Sequence, residues 1–261
     1  MSPVNLLAFT NPILHLTVHP STGAATSAAF TSDSSQDWLS TNSATYHPPT
    51  QRVYATTTFN NLWELDPSTG AARKLSHGSW SGCVLVSCAG RLLSFGNKVC
   101  AVDPKDGSYI ELGGQSLLDV WSKVTAATSL GGTLFATTVA NTLWAVDPVS
   151  GETRKVSTDD WSRCSALVGV GDKLYAFCLH LWIVDPTTGA CERFNKEGGG
   201  FFGGGDKLAG VVGAVAVGTL IYAVNKSGKL FEVDTVAKSY REVASEGLGL
   251  SKALVAFGEG L

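Results

Sequence analysis

No apolar run in this chain is long enough to cross a bilayer, and no basic segment introduces an apolar core at Met1-Ser2-Pro3-Val4-Asn5. These absences predict a soluble, unprocessed chain without membrane insertion. Charge is sparse as well: 16% of residues are charged, the formal net charge is −3, and no Lys/Arg cluster offsets it. A polyanion finds nothing to grip, so nucleic acid is not an expected partner. Helical spacing with end caps is missing throughout, and the chain reads as all-β. The cysteines, Cys83, Cys88, Cys100, Cys164, Cys178 and Cys191, show no paired Cys-x-x-Cys spacing, and His15, His19, His47, His77 and His180 no His-x-x-x-His. Neither a metal centre nor a disulfide framework is expected, and no cofactor is implied. Free thiols point to a reducing, cytoplasmic setting.

What the chain has is repetition. Leu-Trp-x-Val/Leu-Asp-Pro-x-x-Gly occurs at 62–70, 143–151 and 181–189, and weaker copies lie at Val99–Gly107, Leu230–Asp234 and Leu16–Gly23. The turn positions His19, Asp66, Asp103, Asp147, Asp185 and Asp234 are 47, 37, 44, 38 and 49 residues apart, a period that suits one four-stranded sheet per repeat. The fifth copy shows the order within a repeat: a first strand at 165–171, a Gly171-Asp172 turn, a second strand at 174–179, a third at 181–185, and a half-wet fourth at 190–194. Proline presets φ in the turn between the last two, and glycine accepts positive φ.

The first repeat has no first strand before Leu6. The missing piece stands at the other end, where Ala253–Gly258 matches Ala166–Gly171 in kind. Pairing the two ends within one sheet removes two open edges. The expectation is therefore a single domain over 1–261, a six-bladed β-propeller of four-stranded blades closed by the C-terminal strand. Its blades are placed at 252–261 plus 1–34, 35–76, 77–113, 114–157, 158–195 and 196–251.

Two columns of tryptophan run through the repeats. The first precedes each first strand: Asp37-Trp38-Leu39-Ser40, Ser79-Trp80-Ser81-Gly82, Val120-Trp121-Ser122-Lys123 and Asp160-Trp161-Ser162-Arg163, with Leu208 and Leu250 in the remaining two repeats. An indole with a hydroxyl and a cation beside it has the chemistry a sugar ring needs, a platform for its C–H face and partners for its hydroxyls. Trp38, Trp80, Ser81, Trp121, Ser122, Lys123, Trp161, Ser162 and Arg163 are thus candidate carbohydrate-binding residues. Several such loops together would be avid for glycans or glycoconjugates. The alternative is a packing wedge between neighbouring sheets. The second column, Trp63, Trp144 and Trp182 within the third strands, alternates with Cys100, Phe231 and Leu16 and reads as core.

The Trp-Ser runs at 80–82, 121–123 and 161–163, with Leu174-Tyr175-Ala176 and Leu181–Asp185, make the chain resemble the tectonin and tachylectin-like propeller lectins. The resemblance implies a cytosolic, multivalent glycan-binding protein. The Asp-Pro-x-Thr-Gly turn is also similar to that of quinoprotein-like propellers, which bind no sugar. Two other functions stand beside the lectin: an enzyme with one small-molecule pocket at the mouth of the central channel, and a protein-interaction scaffold. The predicted first strands carry no carboxylate, which argues against a metal-dependent propeller hydrolase, although Asp119, Asp159, Asp160 and Glu246 flank them. The glycine-rich run 198–207 lacks a Gly-Lys-Ser/Thr ending and is read as a loop between blades rather than a phosphate cradle. The sequence leaves oligomeric state open.

Overall fold

The computed structural model describes residues 2–30, 38–78, 80–96, 98–113, 124–194, 208, 210–244, 248, 251 and 253–258. They form six four-stranded antiparallel sheets around a common axis, a β-propeller. Blade 1 combines β24 (Leu254–Phe257) with β1 (Val4–Ala8), β2 (Leu14–Val18) and β3 (Ala25–Ala29). Blade 2 holds β4 (Thr41–His47), β5 (Arg52–Thr57), β6 (Asn61–Leu65) and β7 (Ala72–His77). Blade 3 holds β8 (Val84–Cys88), β9 (Arg91–Phe95), β10 (Val99–Val102) and β11 (Tyr109–Glu111). Blade 4 comprises β12 (Val124–Leu130), β13 (Thr133–Thr138), β14 (Thr142–Val146) and β15 (Thr153–Ser157). Blade 5 comprises β16 (Ala166–Val170), β17 (Lys173–Phe177), β18 (Leu181–Val184) and β19 (Cys191–Arg193). Blade 6 is β20 (Val211–Val217), β21 (Leu220–Asn225), β22 (Leu230–Asp234) and β23 (Ser239–Ala244).

Burial follows position in the blade. Second strands are covered on both faces by neighbouring blades, so Leu92-Leu93-Ser94-Phe95 is buried throughout, its one polar residue included. Fourth strands lie at the rim, and β11 is exposed along its whole length.

The ring closes as the split repeat requires. In blade 1 β24 pairs antiparallel with β1, Asn5 opposite Phe257 and Ala8 opposite Leu254, and Phe9 N–H donates to Ala253 C=O at 3.0 Å. A second tie crosses the seam on the outside. Arg241 of blade 6 pairs with the buried carboxylate of Glu232 at 2.6 Å and donates to the Pro20 carbonyl of blade 1. Glu232 also accepts from the Tyr222 hydroxyl at 2.9 Å, which with burial pushes that phenol far up.

Neighbouring blades are keyed through the third turn of each repeat. Gly70, Gly107, Gly151 and Gly189 all have φ near +75°, and each faces the fourth strand of the preceding blade or its end. A Cβ on Gly189 would stand 2.5 Å from the Val156 carbonyl, and one on Gly70 would meet the Phe30 ring at 2.5 Å. The turn aspartates fold back as Asx turns. Asp185 Oδ1 accepts from the backbone N–H of Thr187 and Thr188, both at 2.9 Å, and Asp147 does the same for Val149 and Ser150. These bonds draw both carboxyls below their ordinary value; for Asp185 the bond from Lys173 is the largest cause.

The blades are of two kinds. Blades 2, 4 and 6 have first strands of 7 residues with a bulge near the start, between 41/43, 124/126 and 211/213. Blades 1, 3 and 5 have shorter, unbulged first strands. The structural repeat is therefore a pair of blades used three times, and the long spacings between turns are those that lead into the bulged blades 2, 4 and 6.

Candidate functional site

In a four-stranded meander the loop entering the first strand and the turn between the second and third leave from the same end of the sheet, so both gather on one face of the ring. The tryptophan loops are built there, each upon its neighbour. Trp80 donates its indole N–H to Ser76 Oγ at 3.0 Å, and Trp161 to Ser157 Oγ at 2.6 Å, both serines lying in the fourth strand of the preceding blade. The next residue completes the clamp. Ser81 N–H donates to Asn60 Oδ1 at 3.0 Å and Ser162 N–H to Asn141 Oδ1 at 2.9 Å, and these asparagines hold left-handed turn positions with φ 59°. Each loop then turns back, with Cys83 N–H bonded to Trp80 C=O and Cys164 N–H to Trp161 C=O.

The indoles end up covered. Trp38, Trp80 and Trp161 are 2%, 3% and 1% exposed, and Trp38 packs edge-on against Phe9 and Trp63. The expectation that these three offer exposed sugar platforms is corrected: at these positions the wedge prevails, because the ring is the cover of the junction between two sheets. Trp121, Ser122 and Lys123 lie outside the described residues, as do the glycine-rich run 198–207, Asp119 and Glu246. Leu208 fills the equivalent place in blade 6, 4% exposed. In blade 1 Leu248 takes this place, and Leu250 lies outside the described residues. Ser251 N–H bonds to Leu248 C=O as Cys164 does to Trp161, and Leu248 is fully buried.

In the second column Leu16, Cys100 and Phe231 are buried as core, and the three tryptophans pack against core clusters with part of each ring open. Trp63, Trp144 and Trp182 are only half-buried. In blade 5 the exposed part of Trp182 lines a cavity of about 290 Å³ whose walls include Asp159, Asp160, Arg163, Cys178, His180 and Cys191, with the edge of Trp161 at its base. Arg193 Nη2 lies 3.0 Å from His180 Nδ1, and as an obligate donor it leaves the ring proton on Nε2. Ser162 Oγ donates to Asp160 at 2.9 Å, holding that carboxylate beside the loop.

Blade 3 has the matching cavity, about 200 Å³. Trp80 stands where Trp161 does, Gly96 for Cys178, Lys98 for His180, Cys100 for Trp182 and Tyr109 for Cys191. The turn bonds show the register: Gly96 N–H to Lys98 C=O, and Cys178 N–H to His180 C=O. Here the aromatic wall is Tyr109, 51% exposed, and Lys98 forms an ion pair with Glu111 at 2.5 Å. Burial pushes the Cys83 thiol up to about 11.

The central channel differs in character. First strands of all six blades line a space of about 400 Å³ with backbone, aliphatic groups, the Tyr46 side chain and the hydroxyls of Thr45, Ser87, Thr128 and Ser129. Its described lining includes no carboxylate, imidazole, thiol or amine, and Asp159 and Asp160 face the blade 5 cavity instead. Among the described residues no three His, Cys, Asp or Glu side chains converge as metal ligands would. None of their helices is long and apolar enough to cross a membrane.

Fold and site together define a six-bladed β-propeller with cavities at the edges of blades 3 and 5. No protein-family model and no curated protein sequence matches the chain. Among solved structures it is similar to a chain of a nidogen/laminin complex, with TM-score 0.78, 11% identity and 100% of both chains covered. It is also similar to the computationally designed Ika8 protein, with TM-score 0.52, 12% identity, and 95% and 76% of the two chains covered. A third similarity is to the tricorn protease, with TM-score 0.63 and 11% identity, where 95% of this chain spans 27% of that one. These likenesses concern the fold alone, which is consistent with binding or scaffold roles.

Proposed function

We propose that this propeller is a binding module whose ligand sites are the cavities at the edges of blades 3 and 5, and that the ligand class is carbohydrate. The observation that carries the reading is the blade 5 cavity. It sets the open part of an indole, Trp182, beside carboxylates (Asp159, Asp160), a guanidinium (Arg163) and a ring N–H (His180). A sugar presents an apolar C–H face and a rim of hydroxyls, and this wall offers a partner to each. The blade 3 cavity repeats the pattern with Tyr109, Lys98 and Glu111. Two shallow sites on one ring favour surfaces that display the ligand many times.

The channel's uncharged lining favours binding over catalysis there, since its described residues supply no carboxylate, imidazole or amine. A glycan array followed by calorimetric titration with its strongest binder tests the proposal. Saturation at two sites per chain, with loss of the stronger on Trp182→Ala, is the expected result. Absence of any glycan binding overturns it.

One observation supports the scaffold reading as a second function. Phe59, Val139 and Leu179 are 61%, 47% and 53% exposed, and all three stand in turns between second and third strands, on the face that carries the cavities. A partner protein seated there would cover the cavity mouths. Phe59→Ser with Val139→Ser would then weaken capture of that partner while leaving sugar binding at Trp182 intact.

A further inference from the structure

Cys178 lines the blade 5 cavity, and Cys164 is packed in the cluster behind it. Cys164 is 2% exposed, its thiol donates to the Ala166 carbonyl at 3.3 Å, and it packs in one apolar cluster with Cys178. Cys178 is half-buried and lines the cavity, so one sulfur of the pair is reachable from solvent and the other stands behind it. The equivalent positions in blade 3 are Cys83 and Gly96, where a Cβ on the glycine would stand 2.6 Å from the Cys83 sulfur. Direct contact between the two positions is thus a property of the blade.

Packing does not demand two thiols there. Blade 3 uses a cysteine with a glycine, and blade 1 uses Ser251 with Thr10, Ser251 Oγ donating to Ala253 C=O as Cys164 does to Ala166. Blade 5 joins two thiols and opens one of them to a cavity. We infer that Cys164 and Cys178 are a thiol–disulfide exchange pair whose substrates are low-molecular-weight disulfides entering the blade 5 cavity.

The order of attack follows from the contact. Cys178 is the sulfur that a disulfide entering the cavity meets first, and contact with Cys164 draws its thiol below the ordinary value against the opposing effects of burial and the Asp160 charge. Contact with Cys178, with burial, holds Cys164 as a thiol. Cys178 thiolate attacks one sulfur of the disulfide RSSR, forming a Cys178–S–S–R bond and expelling RS⁻. Cys164 then loses its proton and attacks the Cys178 sulfur, closing the internal disulfide and releasing the second RS⁻. Two protein thiols are oxidised and one RSSR becomes two RSH. The exchange is independent of whether the cavity also takes a sugar.

The test uses the aromatic disulfide dithiobis(nitrobenzoate) on native Cys191→Ala protein, because Cys191 is exposed at the same cavity and would form its own adduct. The expected result is a fast release of two thionitrobenzoates per chain, with mass spectrometry showing a Cys164–Cys178 disulfide and no retained label. Adding Cys164→Ser, the residue blade 1 carries at this place, should halve the release and leave a stable label on Cys178. Adding Cys178→Ala should abolish the fast phase with an unchanged circular dichroism spectrum. A label that persists on Cys178 while Cys164 is present, or the absence of any fast phase, overturns the inference.

Discussion

The indole N–H of Trp161 donates to Ser157 Oγ at 2.6 Å, across the junction between blades 4 and 5, and Trp80 with Ser76 repeats the bond between blades 2 and 3. A side chain that looked like a ligand platform is thereby a staple between sheets. Trp161→Ala removes nearly a whole buried indole, and a loss of roughly 3–5 kcal/mol is expected. Ser157→Ala leaves the N–H without its acceptor and should cost about 1–3 kcal/mol. Trp182→Ala, truncating a half-exposed ring, should cost less than either. Urea unfolding of the three variants checks the ranking.

The turn glycines supply a second contrast. Gly189 and Gly171 both have positive φ, but a Cβ on Gly189 meets the Val156 carbonyl at 2.5 Å, whereas one on Gly171 meets nothing within 4 Å. Gly171→Ala should therefore show only the left-handed backbone penalty, roughly 1–2 kcal/mol. Gly189→Ala must also push blade 5 away from blade 4, and its melting temperature should fall further.

Closure of the ring predicts the effect of truncation. A chain ending at 251 lacks β24, so the inner edge of β1 opens and the contacts of Leu254, Val255 and Ala256 with blade 1 are lost. The cooperative unfolding transition should disappear while much of the β signal in circular dichroism survives. Glu232→Ala breaks the outer tie at the same seam. It should cost about 2 kcal/mol, in line with hydrogen bonds to a charged group.

Acid should loosen the turns. Asp66, Asp147 and Asp185 have folded-state carboxyls drawn below their ordinary value by hydrogen bonds in the Asx turns, with Lys173 adding to Asp185. A depressed folded value means that the unfolded chain takes up protons first. The stabilisation is complete above the unfolded value of about 4 and is lost as pH falls toward the folded values. Thermal melts should thus decline with acidity below about pH 4–5. Asp185→Asn, which keeps the turn acceptor and removes the charge, should flatten part of that decline.

Much of the architecture was legible because a propeller advertises itself locally. Each Asp-Pro-x-x-Gly turn names its blade, and the strand missing before Leu6 pointed to Ala253–Gly258. The two-blade unit was also written in the spacings 47, 37, 44, 38 and 49, yet it emerges only when the bulged first strands of blades 2, 4 and 6 are set beside the plain ones. The site was harder. Sequence places Trp161 in a loop and Trp182 in a strand, and loops are usually the exposed part. Here the preceding blade supplies Ser157 and Asn141 to pull the loop inward, while the third strand lies near the rim and leaves Trp182 partly open. Which face of a ring is covered depends on the neighbouring blade, dozens of residues away. The pairing of Cys164 with Cys178 was hidden for a similar reason: it arises from two adjacent strand ends, with no short spacing to mark it.

The most direct test of the account is a calorimetric titration of the wild-type protein, Trp182→Ala and Ser157→Ala with the best binder from a glycan array. The account predicts that Trp182→Ala abolishes binding at the stronger site with its melting temperature nearly unchanged, whereas Ser157→Ala lowers the melting temperature and retains binding. Full binding by Trp182→Ala would contradict it.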